Sequence, residues 1–175
     1  VGPVRLVGQG LATPSAVKRA AFIAFGAGAF AGLLMVAISH FWLLIPIGIA
    51  SVAAAWFYTG GAMPYGYHGL GEVFVFVFFG LVAVVGTAAT QTGHITTIQL
   101  LGGTACGALS CAILVANNLR DIPTDTHTGK RTLAVILGDK GTRELYRTCF
   151  LVAYSMPVIM TILTDGPAYA YISLL

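Results

Sequence analysis

Five long runs of apolar residues, separated by short polar segments, dominate the hydrophobic pattern of this chain. The runs cover roughly residues 20–39, 41–57, 72–90, 95–116 and 145–164, and a sixth run begins near Pro167. Each is near the length of about 20 residues with which a helix crosses a bilayer. The runs are continuous and do not alternate, and a backbone inside lipid must satisfy its own hydrogen bonds. They therefore predict membrane-spanning helices.

The composition supports the same class. The chain is 57% hydrophobic and 9% charged, whereas soluble domains carry about 25% charged residues. Between Ala20 and Leu119, Glu72 is the only charged residue. A soluble fold of 175 residues could not cover so long an apolar stretch. The predicted class is therefore all-α, a multi-span transmembrane helix bundle forming a single domain over residues 1–175 and embedded in a lipid bilayer.

The basic residues predict an orientation. With these spans, all 9 Lys and Arg residues fall on one side of the membrane, which the positive-inside rule makes cytoplasmic. Topology thus explains the net charge of +3, and no nucleic-acid partner is predicted. The three cysteines lie in apolar spans and show neither a disulfide framework nor a metal-binding spacing.

Two segments on the predicted cytoplasmic side are longer than connectors need to be, residues 58–72 and 117–144. Long loops in compact folds tend to be functional. The first contains Tyr58, Tyr65 and Tyr67 beside several glycines. Each tyrosine suits an aromatic belt at the membrane interface. Tyrosines could also bind diphosphate oxygens or stack on a ring-shaped substrate.

The second segment begins with the pattern N-x-x-x-D-x-x-x-D, formed by Asn117, Asp121 and Asp125. Spacings of four place side chains on one side of a helix. Two carboxylates and an amide are oxygen ligands of the kind that suits Mg²⁺, which usually bridges one or two carboxylates to substrate phosphates. Lys130 and Arg131 follow closely and could hold phosphate oxygens. The pattern predicts a metal–diphosphate site.

Other interpretations of this segment remain open. A charged loop after a membrane helix can simply be a solvated surface that records topology. Membrane-embedded acids also occur in ion-coupled carriers, so a membrane transporter is an alternative. Against it, the acids lie at one membrane side and not at the midplane. Pro123 lacks an N–H, so the helix is expected to kink or end inside the motif, with its ligands on partly unwound backbone.

The stretch NNLRDIPTDTHTGKRTL resembles the second aspartate-rich motif of the UbiA superfamily of intramembrane prenyltransferases. YTGGAMPYGYHGLGE at 58–72, FVFVFFGLVAVVGTA at 74–88 and RLVGQGLATP at 5–14 extend the resemblance over nearly the whole chain. Within the superfamily it is most similar to the 1,4-dihydroxy-2-naphthoate polyprenyltransferases. The D-x-x-x-D pattern alone is common, whereas its combination with GKRTLAV and PYGYxGLGE is specific.

The resemblance implies a bundle of about nine helices with two facing aspartate-rich motifs that bind Mg²⁺ and a polyprenyl diphosphate. It implies transfer of the prenyl group to 1,4-dihydroxy-2-naphthoate with loss of CO₂ and diphosphate, in menaquinone biosynthesis in a bacterial plasma membrane. The site residues it implies are Asp121 and Asp125 as metal ligands, Tyr58 beside the prenyl diphosphate, and Asn117, Lys130, Arg131, Tyr65 and Tyr67 for substrate binding.

One part of the family pattern is absent. The first aspartate-rich motif is expected just upstream of the region resembling residues 5–14, and nothing before Arg5 supplies it. The chain is therefore expected to be a fragment that lacks the N-terminal helices bearing that motif and also the C-terminal helices. Transfer activity is expected of the complete protein, and an inactive prenyltransferase fragment is a further alternative.

Overall fold

In a computed structural model, which describes residues 6–61 and 64–164, the chain forms helices and no strands within those ranges. The helices are α1 (Pro14–Ser39), α2 (Leu44–Thr59), α3 (Gly71–Thr92), α4 (Thr97–His127) and α5 (Leu133–Leu163). Each overlaps one of the five predicted apolar runs, and α4 and α5 extend beyond theirs. All but the shorter α2 are long and apolar enough to cross a membrane, so the all-α, multi-span class is confirmed. The run from Pro167 lies outside the described residues.

The chain divides into two compact units, residues 1–48 and 49–175. The first contains α1, whose start follows from local sequence. Pro14 suits the first helical position, and the Thr13 hydroxyl accepts a hydrogen bond from the Ala16 N–H at 3.2 Å. Within α1, Val36 is the one buried residue. A helix that is apolar on all sides and still exposed is typical of a membrane span.

The second unit is organised around α4, which packs against both α3 and α5. The contact between α3 and α4 is close because it is made by glycines. A Cβ added at Gly80 would lie 2.4 Å from the Cα of Gly107 and 2.6 Å from the carbonyl oxygen of Gly103. Small residues four apart let membrane helices approach in this way. Any side chain at Gly80 would force the two helices apart.

The middle of α3 is not α-helical. Residues Phe76–Val85 form a π-helix, in which each hydrogen bond spans five residues, between two short α-helical ends. The apolar run predicted a single ordinary span. A continuous apolar sequence carries no signal that distinguishes the two helix types, because both bury the same side chains in lipid or protein.

Helix α5 packs on α4 through a small core that includes Cys111, Ala112 and Cys149. It begins earlier than the predicted span and is interrupted at Gly138, whose φ of 71° and ψ of 177° are not helical. The Thr142 hydroxyl, which follows the break, donates to the Gly138 carbonyl at 2.7 Å and also lies 3.3 Å from the Ala134 carbonyl before the break.

The expectation that the helix ends or unwinds at Pro123 is wrong. Helix α4 passes through Pro123 and ends only at His127, so the aspartate motif lies on helical backbone that is not unwound. The proline removes one hydrogen bond to the Leu119 carbonyl, but bonds on either side persist. Thr126 and Thr128 donate their hydroxyls to the carbonyls of Ile122 and Thr124. These local bonds help the last turns stay helical.

Candidate functional site

Asp125 and Lys130 are brought together by the way α4 ends. Gly129, with a left-handed φ of 76°, follows the last helical residues. The Lys130 N–H then donates to the Asp125 carbonyl at 2.9 Å and the Gly129 N–H donates to the Thr126 carbonyl at 3.3 Å. This pair of bonds is the Schellman motif, which glycine favours because it has no Cβ. The chain reverses there, and the Lys130 ammonium reaches the Asp125 carboxylate at 3.3 Å.

The same reversal holds the tyrosine loop. The Lys130 ammonium lies 4.9 Å from the centre of the Tyr67 ring, a cation–π distance. The Arg131 N–H donates to the Tyr67 carbonyl at 3.0 Å. Segments 58–72 and 117–144, which the sequence places far apart, are therefore in direct contact. Asp125 is buried, with 6% of its surface exposed, so its carboxylate faces this junction.

Tyr58 and Tyr65 form an aromatic group at the end of α2. Their ring centres are 5.5 Å apart in an edge-to-face arrangement, and Tyr65 stacks on Phe74 at 3.9 Å. The Tyr65 hydroxyl donates to the Ala54 carbonyl at 2.7 Å. Burial, followed by the nearby Tyr58 phenol, raises the pKa of Tyr65 above its usual value. Tyr65 is therefore a neutral donor committed to the backbone of α2.

Asp121 lies one turn before Asp125 in a more open position. Its side chain is 42% exposed and is paired with the neighbouring Arg120, Nε to Oδ1 at 2.7 Å and Nη2 to Oδ2 at 3.1 Å. Asn117, a further turn back, is exposed. The two aspartates thus share one side of α4 but differ in burial. Asp125 is packed into the junction of the loops, whereas Asp121 is accessible.

Two residues that the sequence analysis did not assign to this site join it, Glu72 and Asn118. Glu72 lies in the first turn of α3. It is also buried, with 7% exposure, and its Oε1 accepts a hydrogen bond from the Asn118 Nδ2 at 2.9 Å. The signal available was a lone acid in an apolar run of about one hundred residues, which gives a position but not a partner.

An apolar cavity adjoins the tyrosines. It has a volume of about 600 Å³ and is lined by residues of α2, the tyrosine loop and α3, among them Ala54, Tyr58, Tyr65, Phe74 and Phe78. Its walls are almost entirely hydrocarbon and aromatic. A cavity of this kind can hold an apolar chain whose polar end lies near Tyr58.

Comparison with known proteins identifies the family. The family model of the UbiA prenyltransferase family matches residues 3–175. This chain belongs to the UbiA prenyltransferase family. The aspartate motif, the tyrosine loop and the membrane helices all lie within the matched region.

Three similar proteins from this comparison all have the same name. The chain is 52% identical, over 94% of its length, to a 1,4-dihydroxy-2-naphthoate octaprenyltransferase of Mycobacterium tuberculosis. It is 46% identical, over 98% of its length, to the protein of the same name from Mycobacterium leprae, and 40% identical, over 86% of its length, to the one from Escherichia coli. The chain covers 56%, 58% and 50% of these relatives. Comparison with solved structures gave no significant match.

The donor set of the site fits a magnesium ion that is shared with other ligands. Asp121 and Asp125 offer carboxylate oxygens from one side of one helix, and Mg²⁺ commonly takes one or two protein carboxylates together with phosphates and water. Within residues 6–61 and 64–164, no three His, Cys, Asp or Glu side chains converge to hold a metal. The two aspartates alone would therefore suit an open site, in which water or other oxygen ligands fill the remaining positions.

Proposed function

We propose that this chain forms part of a membrane prenyltransferase of menaquinone biosynthesis. The enzyme would transfer a polyprenyl group from a polyprenyl diphosphate to 1,4-dihydroxy-2-naphthoate and release diphosphate and CO₂. The observation that carries the proposal is the 52% identity to a 1,4-dihydroxy-2-naphthoate octaprenyltransferase over 94% of this chain. The aspartate motif and tyrosine loop lie within that similarity. Because the chain spans little more than half of that relative, the activity is proposed for the complete protein.

Asp121 and Asp125 are assigned as magnesium ligands. They would hold a Mg²⁺ ion, whose charge would stabilise the diphosphate as it leaves. Lys130 and Arg131 follow within six residues of Asp125 and carry the charges that would hold the same diphosphate. Lys130 is already placed by the end of α4 and by the Tyr67 ring. Asn117, exposed one turn before Asp121, can donate an amide hydrogen bond to a phosphate oxygen.

The three tyrosines take different roles in this proposal. Tyr58 borders the apolar cavity and is assigned to the prenyl diphosphate, where its ring or hydroxyl meets the first isoprene unit. The Tyr65 hydroxyl is engaged with the Ala54 carbonyl, so Tyr65 contributes the stacked wall behind Tyr58. Tyr67 supports the Lys130 ammonium through its ring. In this proposal, Tyr65 and Tyr67 therefore serve substrate binding indirectly, by supporting Tyr58 and Lys130.

The chemistry follows from this arrangement. Heterolysis of the allylic C–O bond leaves negative charge on diphosphate, which fixed cations stabilise without reorganisation. The prenyl carbocation must be kept from water, and the apolar wall formed by Phe74 and Phe78 beside Tyr58 provides such shielding. A ring carbon of the naphthoate then attacks the cation. Loss of the carboxylate as CO₂ restores the aromatic ring of the prenylated product.

The decisive experiment is a transfer assay on the complete protein in lipid vesicles. Polyprenyl diphosphate and 1,4-dihydroxy-2-naphthoate are supplied with Mg²⁺, and the prenylated product, CO₂ and diphosphate are measured. We expect the three products in equal amounts and no turnover after chelation of divalent cations. Formation of product with the carboxylate retained would contradict the naphthoate assignment. An absence of all products from correctly folded protein would contradict the transferase assignment.

The same proposal fixes an orientation, with the site on the cytoplasmic side of a bacterial plasma membrane. A cysteine introduced at His127, which is exposed at the end of α4, should react with a membrane-impermeant thiol reagent only from the cytoplasmic side. A cysteine at His94, between α3 and α4, should react only from the other side. Both require a background free of native reactive cysteines. Labelling of the two positions from the same side would contradict the spans between them.

A further inference from the structure

Glu72 is an unusual residue for its position. It is the one charged residue between Ala20 and Leu119, and 7% of its surface is exposed. No salt bridge to Glu72 occurs in the part of the chain that the structure describes. Burial of a carboxylate is costly unless hydrogen bonds compensate it. The helix N-terminus favours an acid in this turn, but an exposed glutamate would satisfy that preference equally well.

What distinguishes Glu72 is that it bonds twice to α4. Its carboxylate Oε1 accepts from the Asn118 Nδ2 at 2.9 Å. Its main-chain carbonyl oxygen accepts from the Cys111 thiol at 3.1 Å. One residue at the start of α3 therefore contacts α4 at two points that are seven residues apart.

Those two points lie on the same face of α4 as Asp125. Residues seven apart on a helix differ by only about 20° in direction, so Cys111, Asn118 and Asp125 form one stripe. Cys111 and Asp125 are both buried on it. Asp121 lies about 60° from Asn118, at a spacing of three. A bond that fixes the direction of Asn118 consequently fixes the direction of both carboxylates.

The other end of the contact lies beside the tyrosine loop. Gly71 immediately precedes Glu72, and a Cβ at Gly71 would lie 3.8 Å from the Tyr58 hydroxyl oxygen. The backbone at residues 71 and 72 is therefore packed against the Tyr58 ring on one side and α4 on the other. It links the tyrosine expected at the prenyl diphosphate to the helix that carries the metal ligands.

We propose that Glu72 and Asn118 are positioning residues whose side-chain hydrogen bond sets the rotation of α4, and thereby aims Asp121 and Asp125 relative to Tyr58 and Lys130. Neither side chain needs to touch substrate. The catalytic consequence rests on the proposed prenyl transfer, whereas the geometric consequence does not.

Kinetics of the complete protein test the catalytic consequence. Glu72→Leu and Asn118→Leu each remove one partner, and each should lower kcat about tenfold and raise the half-saturating Mg²⁺ concentration, the scale of one lost hydrogen bond to a charged group. Glu72→Gln keeps an oxygen acceptor and should stay within about twofold of the parent. The control Glu144→Leu makes the same change at an exposed residue paired with Arg147 and should change neither quantity.

The double variant Glu72→Leu/Asn118→Leu separates positioning from stability. Replacing both partners of a buried hydrogen bond by apolar groups can restore stability, so we expect its thermal stability to recover. Its kcat should remain about as low as that of either single variant, because the two residues act through one bond. Recovery of kcat together with stability would overturn the proposal, as would losses that multiply in the double variant.

A distance measurement tests the geometry without any activity. Spin labels are placed at the exposed residues His68 and His127 in a cysteine-free background, with serine at Cys111 to keep a donor for the Glu72 carbonyl. The parent and Glu72→Gln should give the same narrow distance distribution, and Glu72→Leu should shift or broaden it. If the Glu72→Leu protein cannot be recovered from membranes, Asn118→Leu carries the same test.

Together, the kinetics and the spin-label distances distinguish failure of the positioning role from failure of the proposed function. An unchanged spin-label distribution in Glu72→Leu would overturn the positioning role whatever the enzyme does. If Glu72→Leu shifts the distribution and the parent protein itself transfers no prenyl group, the result would support the positioning role and contradict the proposed function instead. Equal loss of kcat in Glu72→Gln and Glu72→Leu would overturn the proposal too, because it would mean that the charge and not the hydrogen bond matters.

Discussion

The middle of α4 and its C-terminal end are held by opposite means. In the middle, Gly103 and Gly107 meet Gly80 of α3 so closely that no Cβ could be added at Gly80. At the end, Asp125 is held by Lys130 and Asn118 is held by Glu72. The first region depends on the absence of side-chain atoms, and the second depends on particular polar atoms.

This difference predicts different responses to substitution. In the middle, an added methyl group displaces a helix, so the fold should be lost before the chemistry is affected. At the end, a change of one polar atom leaves the volume nearly the same, so the chemistry should be lost while the fold persists. Membrane proteins have little hydrophobic drive between helices within lipid, which makes close packing of the middle essential to assembly.

The largest effect is expected from Asp125→Asn and Asp121→Asn in the complete protein. Each removes a proposed metal ligand while keeping a side chain of similar size. Metal stabilisation of a transition state is worth several kcal/mol, so the transfer rate should fall at least about a hundredfold. Steady-state transfer assays over a range of Mg²⁺ concentrations measure the loss.

The matched control for those variants is Asp139→Asn. Asp139 is an exposed acid near the start of α5, paired with Arg143, and it has no part in the proposed site. Its substitution should leave transfer within about twofold of the parent, since exposed ion pairs contribute little. Mg²⁺-dependent turnover near the parent rate in either Asp121→Asn or Asp125→Asn would refute the assignment of that aspartate.

The sequence predicts the helices of this chain better than their interior geometry. The apolar runs locate all five helices within residues 6–61 and 64–164, because lipid demands about 20 apolar residues for each crossing. The π-helical middle of α3, Phe76–Val85, has no such signature. Pro123 was expected to kink or end α4, but the helix continues through it to His127, because a proline removes only one helical hydrogen bond.

Within the site, local sequence predicts the contact between Asp125 and Lys130 but not the contacts between residues far apart in the chain. The Asp125–Lys130 pair could be read from Gly129, because a left-handed glycine after a helix reverses the chain within a few residues. The Glu72–Asn118 bond joins residues 46 positions apart, and only the packing of α3 on α4 determines it. The contact between Tyr67 and Lys130 likewise depends on how two loops meet.

The second prediction concerns the middle of α4. Gly80→Ala places a methyl group 2.4 Å from the Gly107 Cα, so the helices must separate at a cost of about 1–3 kcal/mol, typical of overpacking. We expect a lower yield of monodisperse protein and a lower thermal midpoint. The activity of each folded molecule should change much less. Size-exclusion chromatography and thermal unfolding in detergent measure the effect.

Gly102→Ala is the control for that substitution. It introduces the same methyl group in α4, yet apart from the adjoining backbone of α4 itself no atom lies within 4 Å of the added Cβ. In a helix interior, alanine is favoured over glycine by roughly 1 kcal/mol, so stability should be unchanged or slightly raised. Equal destabilisation by the two variants would show that the close approach of Gly80 to Gly107 is not what holds α3 to α4.

A smaller effect is expected from Lys130→Gln at the polar end. The substitution removes the cation that pairs with Asp125 and lies on the Tyr67 ring. We expect the KM for polyprenyl diphosphate to rise about tenfold, the scale of one charge-assisted hydrogen bond, with a smaller change in kcat. Lys140→Gln, an exposed lysine of α5, should change neither value. A Lys130→Gln enzyme with the parent KM would remove Lys130 from the diphosphate site.

The smallest effect is expected from Arg120→Gln, and it distinguishes the two aspartates. Arg120 and Asp121 form a well-aligned pair, but their side chains are 68% and 42% exposed. Water and salt screen such a pair, so its loss should change stability very little. Because Arg120 would compete with the proposed metal ion for the Asp121 carboxylate, its removal should lower the half-saturating Mg²⁺ concentration slightly, by less than about twofold. Arg143→Gln, which breaks a similar exposed pair with Asp139, should leave that concentration unchanged.

A loss of transfer of about tenfold or more in Arg120→Gln would instead indicate that Arg120 holds the diphosphate directly. The accessible side of the proposed site would then extend beyond Lys130 and Arg131.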